Sequence, residues 1–209
     1  MWRTDNSRVV SSWTNGRMAN VYLVEEESGR RVIRKRYKRR FLLAMVREYL
    51  ATVYLTHWLD ITPRVLSFGL ISGELVLSHM PGVRVLEWVL ARYGDPDLRI
   101  EDFQSFHGLD TNATVAEAFR RFRDCRSPEA VRLKQAISRS YAALHRTWFV
   151  HGGADPRNII YDGERVFIID FNQSRPSLNP QQFERACLCR WYGISSEEMH
   201  QSNEAAMCL

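Results

Sequence analysis

No run of eighteen apolar residues occurs in this 209-residue chain, which argues against a membrane-spanning helix. The opening residues, Met1-Trp2-Arg3-Thr4-Asp5-Asn6-Ser7, lack the apolar core of a Sec-type signal peptide. Cysteine is scarce. Cys125, Cys187, Cys189 and Cys208 show neither the CxxC spacing of a zinc site nor the pairing pattern of a disulfide scaffold. They read as reduced thiols in a cytosolic setting. Internal repeats and low-complexity segments are also missing. What is present is globular: 45% of residues are hydrophobic and 11% aromatic, enough to bury a core as one domain or two small lobes.

The net charge is +5, and eight of the eleven residues from Arg30 to Arg40 are Lys or Arg. Such a run suits nucleic acid or acidic lipid. However, the alternation of basic and aromatic residues that a base-stacking platform needs is absent. A solvated strand end, or a surface for an acidic protein partner, accounts for the run equally well.

The order of elements is α+β. Arg8–Trp13, Val21–Val24 and Arg31–Tyr37 read as an antiparallel meander, with a turn-rich loop at 14–20 and a turn at Ser28-Gly29. Helical periodicity follows from Phe41 to Leu59, carried by Phe41, Met45, Val53 and Leu55. Glu48 is the single acidic residue of that helix, and Lys35 on the preceding strand is its candidate partner. Residues 64–69 and 74–78 form a hairpin pattern around Ser72-Gly73, and His79-Met80-Pro81-Gly82 reads as a linker. Helices are expected at Val83–Tyr93 and at Ser127–Trp148, the latter with Ser127-Pro128-Glu129 as its start signal. Residues 94–126 are polar, with weak helix signals near Val115–Phe122, and read as an insertion with an exposed surface. Short helices are expected at Gln181–Trp191 and Ser195–Met207.

Between the last two groups lies the stretch around which the chain is organised, His151-Gly152-Gly153-Ala154-Asp155-Pro156-Arg157-Asn158. Strand-like segments Ile159–Tyr161 and Val166–Ile169 follow, around a two-residue turn at Asp162-Gly163, and then Asp170-Phe171-Asn172. Pairing of the strands brings Asn158 and Asp170 to one corner. Its oxygen atoms suit a hard cation such as Mg²⁺, with phosphate oxygens completing the shell.

Taken in order, these elements resemble the protein-kinase-like fold. The His-Gly-x-x-x-Pro-x-Asn-Ile-Ile stretch at 151–160 resembles the kinase catalytic loop, most closely the form found in small atypical, sugar and antibiotic kinases. Asp170-Phe171-Asn172 resembles the DFG segment with Asn in place of Gly. Val32-Ile33-Arg34-Lys35 resembles the strand bearing the phosphate-binding lysine, Glu48 stands where its helix partner belongs, and Pro81-Gly82 stands at the hinge. The resemblance implies a minimal bilobal fold. Residues 1–80 form an N-lobe, an antiparallel five-stranded sheet with one helix that binds the nucleotide phosphates. Residues 81–209 form a reduced helical C-lobe with the catalytic loop and metal-binding hairpin. It implies ATP and Mg²⁺ as cofactors. Lys35, Asp170 and Asp155 are implied as catalytic residues, Gly16, Lys35, Glu48 and Asn158 as nucleotide-site residues, and Asn158 and Asp170 as metal ligands. Phosphoryl transfer needs positioning and charge neutralisation more than covalent chemistry, and this set supplies both.

The departures from the pattern are specific. The glycine-rich loop retains only Gly16, with Ala19 at the last glycine position. The position two residues after the loop His, usually the catalytic Asp, is Gly153. Asp155 either takes over as base, through the freedom of Gly152 and Gly153, or caps the turn. After Asp170 there is no room for a standard activation segment. So stripped a kinase resembles the small type III effector kinases that bacteria inject into plant or other eukaryotic cells. Those phosphorylate and inactivate the host's ninety-kilodalton heat-shock chaperone. The resemblance implies secretion into a host cytoplasm, that chaperone as partner, and a monomer; residues 4–12 are compatible with an unstructured secretion signal. Two other readings stay open. One is a small-molecule kinase acting on a sugar or lipopolysaccharide, and the other is a pseudokinase that binds nucleotide and acts by docking.

Overall fold

The computed structural model describes residues 7–14, 16–94, 112–195 and 197–198. The chain is α+β. Strands β1 (Arg8–Trp13), β2 (Ala19–Glu25), β3 (Arg31–Tyr37), β4 (Val65–Gly69) and β5 (Glu74–Ser78) form one antiparallel sheet in the order β1-β2-β3-β5-β4. The meander and hairpin read from the pattern join in the five-stranded antiparallel sheet that the resemblance implies, with β3 at its centre. Side chains alternate across a strand, so Lys35 and Tyr37 share one face of β3, and both are buried there.

Helix α1 (Leu42–Trp58) packs on that face. It buries Met45, Glu48, Ala51, Thr52 and Leu55, the spacing of one helical face. Met45 joins Ala19, Tyr37, Leu75 and Leu77 in a small core beneath the sheet. Ala51 and Leu55 belong instead to the larger core of the helical half. One helix therefore ties the two cores together, and burial of Leu55 alone contributes about 2 kcal/mol.

The second half begins with β6 (Val83–Arg84) and continues through α2 (Val85–Tyr93), α3 (Ala113–Asp124), α4 (Pro128–Arg146), β7 (Phe149–Val150), β8 (Ile159–Tyr161), β9 (Val166–Ile168), β10 (Arg175–Pro176) and α5 (Pro180–Tyr192). β6, β8 and β9 make a three-stranded sheet, and β7 pairs with β10. Helix α4 starts where its signal predicts: Pro128 occupies the first turn and the Ser127 side chain accepts from the Ala130 N–H at 3.3 Å. Helix α2 starts two residues later than expected, because Val83 and Arg84 pair with Tyr161 and Ile160 of β8.

Two expectations are corrected. The hairpin between β8 and β9 does not close in a two-residue turn at Asp162-Gly163. Tyr161 faces Val166, and the four residues between them are held by Asp162, whose Oδ1 accepts from the N–H groups of Glu164 and Arg165. Nor are residues 112–124 an exposed insertion. Asn112 caps α3 by accepting from Thr114 and Val115, and Val115, Ala118, Phe119 and Phe122 are buried against α2 and α5. Only one face of α3 is apolar, and the five charged side chains on its other faces make the segment read as exposed. Residues 1–6 and 95–111, and most of the helix expected at 195–207, lie outside the described residues. Among the described residues no helix is long and apolar enough to cross a membrane, and there is no disulfide.

Candidate functional site

Three distant stretches meet at Lys35. Its Nζ donates to Glu48 Oε1 at 2.6 Å and to Asp170 Oδ1 at 2.7 Å. Glu48 is fully buried and Lys35 is 7% exposed, whereas 31% of the Asp170 side chain reaches solvent. The second Glu48 oxygen accepts from the Tyr37 hydroxyl. Asn172 Nδ2 donates to Asp170 Oδ1 at 2.7 Å. Burial works against the Lys35 cation, but Asp170 and Glu48 outweigh it and raise its pKa above the usual lysine range. For Glu48 burial wins and its pKa is raised. Burial would also raise that of Asp170, but Lys35 holds it below the ordinary carboxylate value. An ionised, partly open carboxylate thus sits beside a cation fixed from behind by a second carboxylate.

Asp170 lies in the left-handed region, at φ 68° and ψ 61°, a conformation that Asp tolerates better than most residues. It precedes a 3-10 turn, Phe171–Gln173, and the buried Phe171 ring packs edge-on to His151 with centroids 5.0 Å apart. His151 bridges the loop and the far end of the hairpin: Nδ1 faces Gly153 O at 2.7 Å and Nε2 faces Ile169 O at 2.8 Å. The ring is 1% exposed, so its role is to fasten the loop to the strand that leads to Asp170. Asn158 belongs to the same knot. Its carbonyl accepts from Ile169 N at 2.9 Å, and its Nδ2 donates to Gly153 O at 3.4 Å. The amide nitrogen is thereby anchored, and Oδ1 is left as the atom available to a ligand.

Asp155 caps the 3-10 turn Pro156–Asn158. Oδ1 accepts from the Arg157 N–H and Nε, both at 2.9 Å, and Oδ2 from Nη2 at 2.7 Å. Both carboxylate oxygens are engaged by one guanidinium, a strong bidentate arrangement. Gly16 sits where the chain turns back into β2. A Cβ there would lie 2.1 Å from Ala19 O, and the carbonyl of Gly16 accepts from Lys38 Nζ at 2.8 Å. This glycine is required by a tight turn.

The two loop glycines differ. Gly152 has φ +80°, and a Cβ on it would meet Gln173 O at 2.5 Å, whereas a Cβ on Gly153 would touch only Asn158 Nδ2 at 3.6 Å. Gly152→Ala should therefore cost about 1–3 kcal/mol, and Gly153→Ala no more than about 0.5 kcal/mol. Urea unfolding of the two variants, run side by side, checks the contrast.

Beneath the loop lies a buried support. Glu184 of α5 accepts from the Gly152 N–H at 2.9 Å through Oε1 and pairs with His145 Nε2 of α4 at 2.7 Å through Oε2. Tyr192 of α5 donates its hydroxyl to Ala154 O at 3.3 Å. Neither this support nor Tyr37 and Asn172 is nominated by sequence reasoning. For Tyr37 a signal exists, since a residue two positions after Lys35 on a strand shares its face. For Glu184 none does, because its partners lie 32 and 39 positions away.

No protein-family profile matches the chain, and comparison with curated proteins finds no significant relative. The geometry therefore carries the reading by itself. A lysine, two acids, one of them partly open, and an asparagine gather at the end of a hairpin, beneath a sheet. That arrangement can hold a polyphosphate and a hard cation.

Proposed function

We propose that the chain is an ATP-dependent protein kinase of atypical serine/threonine type, built as a minimal bilobal kinase-like fold. The observation that carries this reading is the double contact of Lys35 with Glu48 and Asp170, at 2.6 and 2.7 Å. It joins the β3 lysine, the α1 acid and the hairpin aspartate in the relation that the resemblance implies. The donor set fits Mg²⁺: one carboxylate from Asp170 and one amide oxygen from Asn158 are what this ion takes from a protein when phosphates and water complete its shell. Bound there, the ion would neutralise phosphate charge.

The chain's own residues do the rest. Lys35, freed from Asp170 as the nucleotide enters, turns its donors to the phosphates while Glu48, itself held by the Tyr37 hydroxyl, keeps hold of Nζ. Asn172 keeps the Asp170 carboxylate from turning away. His151 and Glu184 fix the loop on which the acceptor hydroxyl is aligned. By resemblance the acceptor is the host ninety-kilodalton heat-shock chaperone, and the protein is a bacterial effector that inactivates it in the host cytoplasm.

The test is transfer of γ-phosphate from ATP and Mg²⁺ into a eukaryotic cell lysate. We expect one labelled band near ninety kilodaltons that disappears with Asp170→Ala. Labelling of no protein by a folded, ATP-binding chain would sink the kinase reading. One observation favours a second reading, a nucleotide-binding pseudokinase: Gly153 offers no base, and Asp155 is tied to Arg157. If Asp155 is the displaced base, Asp155→Ala lowers transfer by roughly 10²–10⁴-fold. Label retained in that variant leaves an active kinase that works by positioning alone.

A further inference from the structure

Arg84 is a further cation whose charge acts on Asp170, and neither the motifs nor the proposed mechanism uses it. Arg84 is the second residue of β6. It is anchored by pairing with Ile160 of β8, the strand that follows Asn158. Its guanidinium lies over the Trp13 ring, 5.0 Å from the centroid. Trp13 ends β1, where the chain turns toward Gly16. Arg84 thus reaches from the floor of the site to its roof. The charges of Asp170 and Arg157 both act on it, and it acts on Asp170 in turn.

What distinguishes Arg84 is its unused hydrogen-bonding capacity. Lys35 spends its donors on two carboxylates, and Arg157 spends its own on Asp155. The nearest carboxylate to Arg84 is Glu87, with Oε1 3.9 Å from Nη1, too far for a hydrogen bond. Among the described residues no hydrogen bond reaches its guanidinium, although only a quarter of the side chain is exposed (25%). Burial disfavours the cation and lowers its pKa, more than Glu87 and Asp170 restore. A guanidinium that is partly desolvated, with five donors and no acceptor, is costly in isolation. Its planar fork matches a phosphate group. The arginine is also kept from folding away, since Trp13 supports one face of it.

We propose that Arg84 binds the phosphate chain of the nucleotide opposite Lys35, supplying the charge neutralisation that glycine-rich backbone amides would otherwise give. This rests on the nucleotide-site reading. The loop before β2 has one glycine, and that glycine is committed to a tight turn, so a side-chain donor is needed where backbone donors are few.

Calorimetric titration of wild type, Arg84→Ala and Arg84→Lys with MgATP, MgADP and adenosine tests the proposal, with Asp170→Asn as a reference. Loss of one charge-assisted contact should weaken MgATP about tenfold. MgADP should weaken less, adenosine should change by less than about twofold, and Arg84→Lys should recover part of the loss. Equal weakening of all three ligands would make Arg84 a packing residue for Trp13 and overturn the proposal. Unchanged MgATP binding, with a raised KM for an acidic acceptor, would overturn it in favour of acceptor recognition. If Asp170→Asn weakens MgATP and Arg84→Ala does not, Arg84 fails alone. A wild-type chain that binds none of the three removes the nucleotide site, and with it both readings.

Discussion

Asp170→Asn should lower phosphoryl transfer by roughly 10³-fold or more while leaving the fold in place. The side chain is isosteric, and asparagine also tolerates the left-handed backbone that residue 170 adopts. Lys35 keeps Glu48 as its partner, so no buried cation is orphaned. What disappears is the one ionised, partly exposed carboxylate of the site, and with it the charge that would bring a hard cation to the phosphates. Preorganised electrostatic contacts of this kind contribute 10²–10³-fold singly, and this one also positions the ion. Steady-state transfer rates combined with a thermal melt separate the two effects. A melting temperature within a few degrees of wild type with lost transfer is the expected pair. Transfer within tenfold of wild type would mean that phosphate is not handled at Asp170.

Glu184→Ala should have the largest effect on stability, about 3 kcal/mol. The substitution leaves His145 Nε2 and the Gly152 N–H without their acceptor; Glu184 and His145 are 3% and 4% exposed, whereas Gly152 is exposed. A buried group stranded in this way, here His145, costs about 1–3 kcal/mol, and truncating one member of a buried pair costs more than the pair contributes. For a chain of this size the midpoint of thermal unfolding should fall by roughly 6–12 °C. Glu184→Gln should recover part of the loss, because its amide oxygen can still accept from Gly152. A drop of less than about 1 kcal/mol in Glu184→Ala, measured by urea unfolding, would mean that water replaces the carboxylate and that the loop does not depend on α5.

Much of this arrangement is legible in the chain because the informative signals are local. The five strands and α1 follow from alternation and helical spacing, and the pairing of Lys35 with Glu48 follows because α1 holds a single acid. Asn158 and Asp170 converge because β8 and β9 are adjacent in sequence. What escapes is set by contacts that no window contains. The hold of Arg157 on Asp155 depends on the turn that Pro156 starts, and only the folded geometry shows both oxygens taken. Helix signals near Val115–Phe122 are legible, but the charge on the other faces of α3 gives no sign that its apolar stripe packs against α2 and α5. Glu184 reads as one more polar residue on a surface helix until α4 is laid against α5. Arg84 reads as the start of a helix in sequence, and only the fold shows that it pairs with β8 and lies over Trp13.

Lys35 and Asp170 are 135 positions apart, and this separation orders the protein's own synthesis. Non-local contacts of such range form late in folding. While the chain is being made, the sheet and α1 can pair Lys35 with Glu48 well before the hairpin has emerged. A growing chain, or one cut between the two halves, therefore carries a lysine with a single carboxylate and neither of the two ligands proposed for the ion. If the site handles nucleotide as proposed, its chemistry starts only once the hairpin has docked against the sheet and α1.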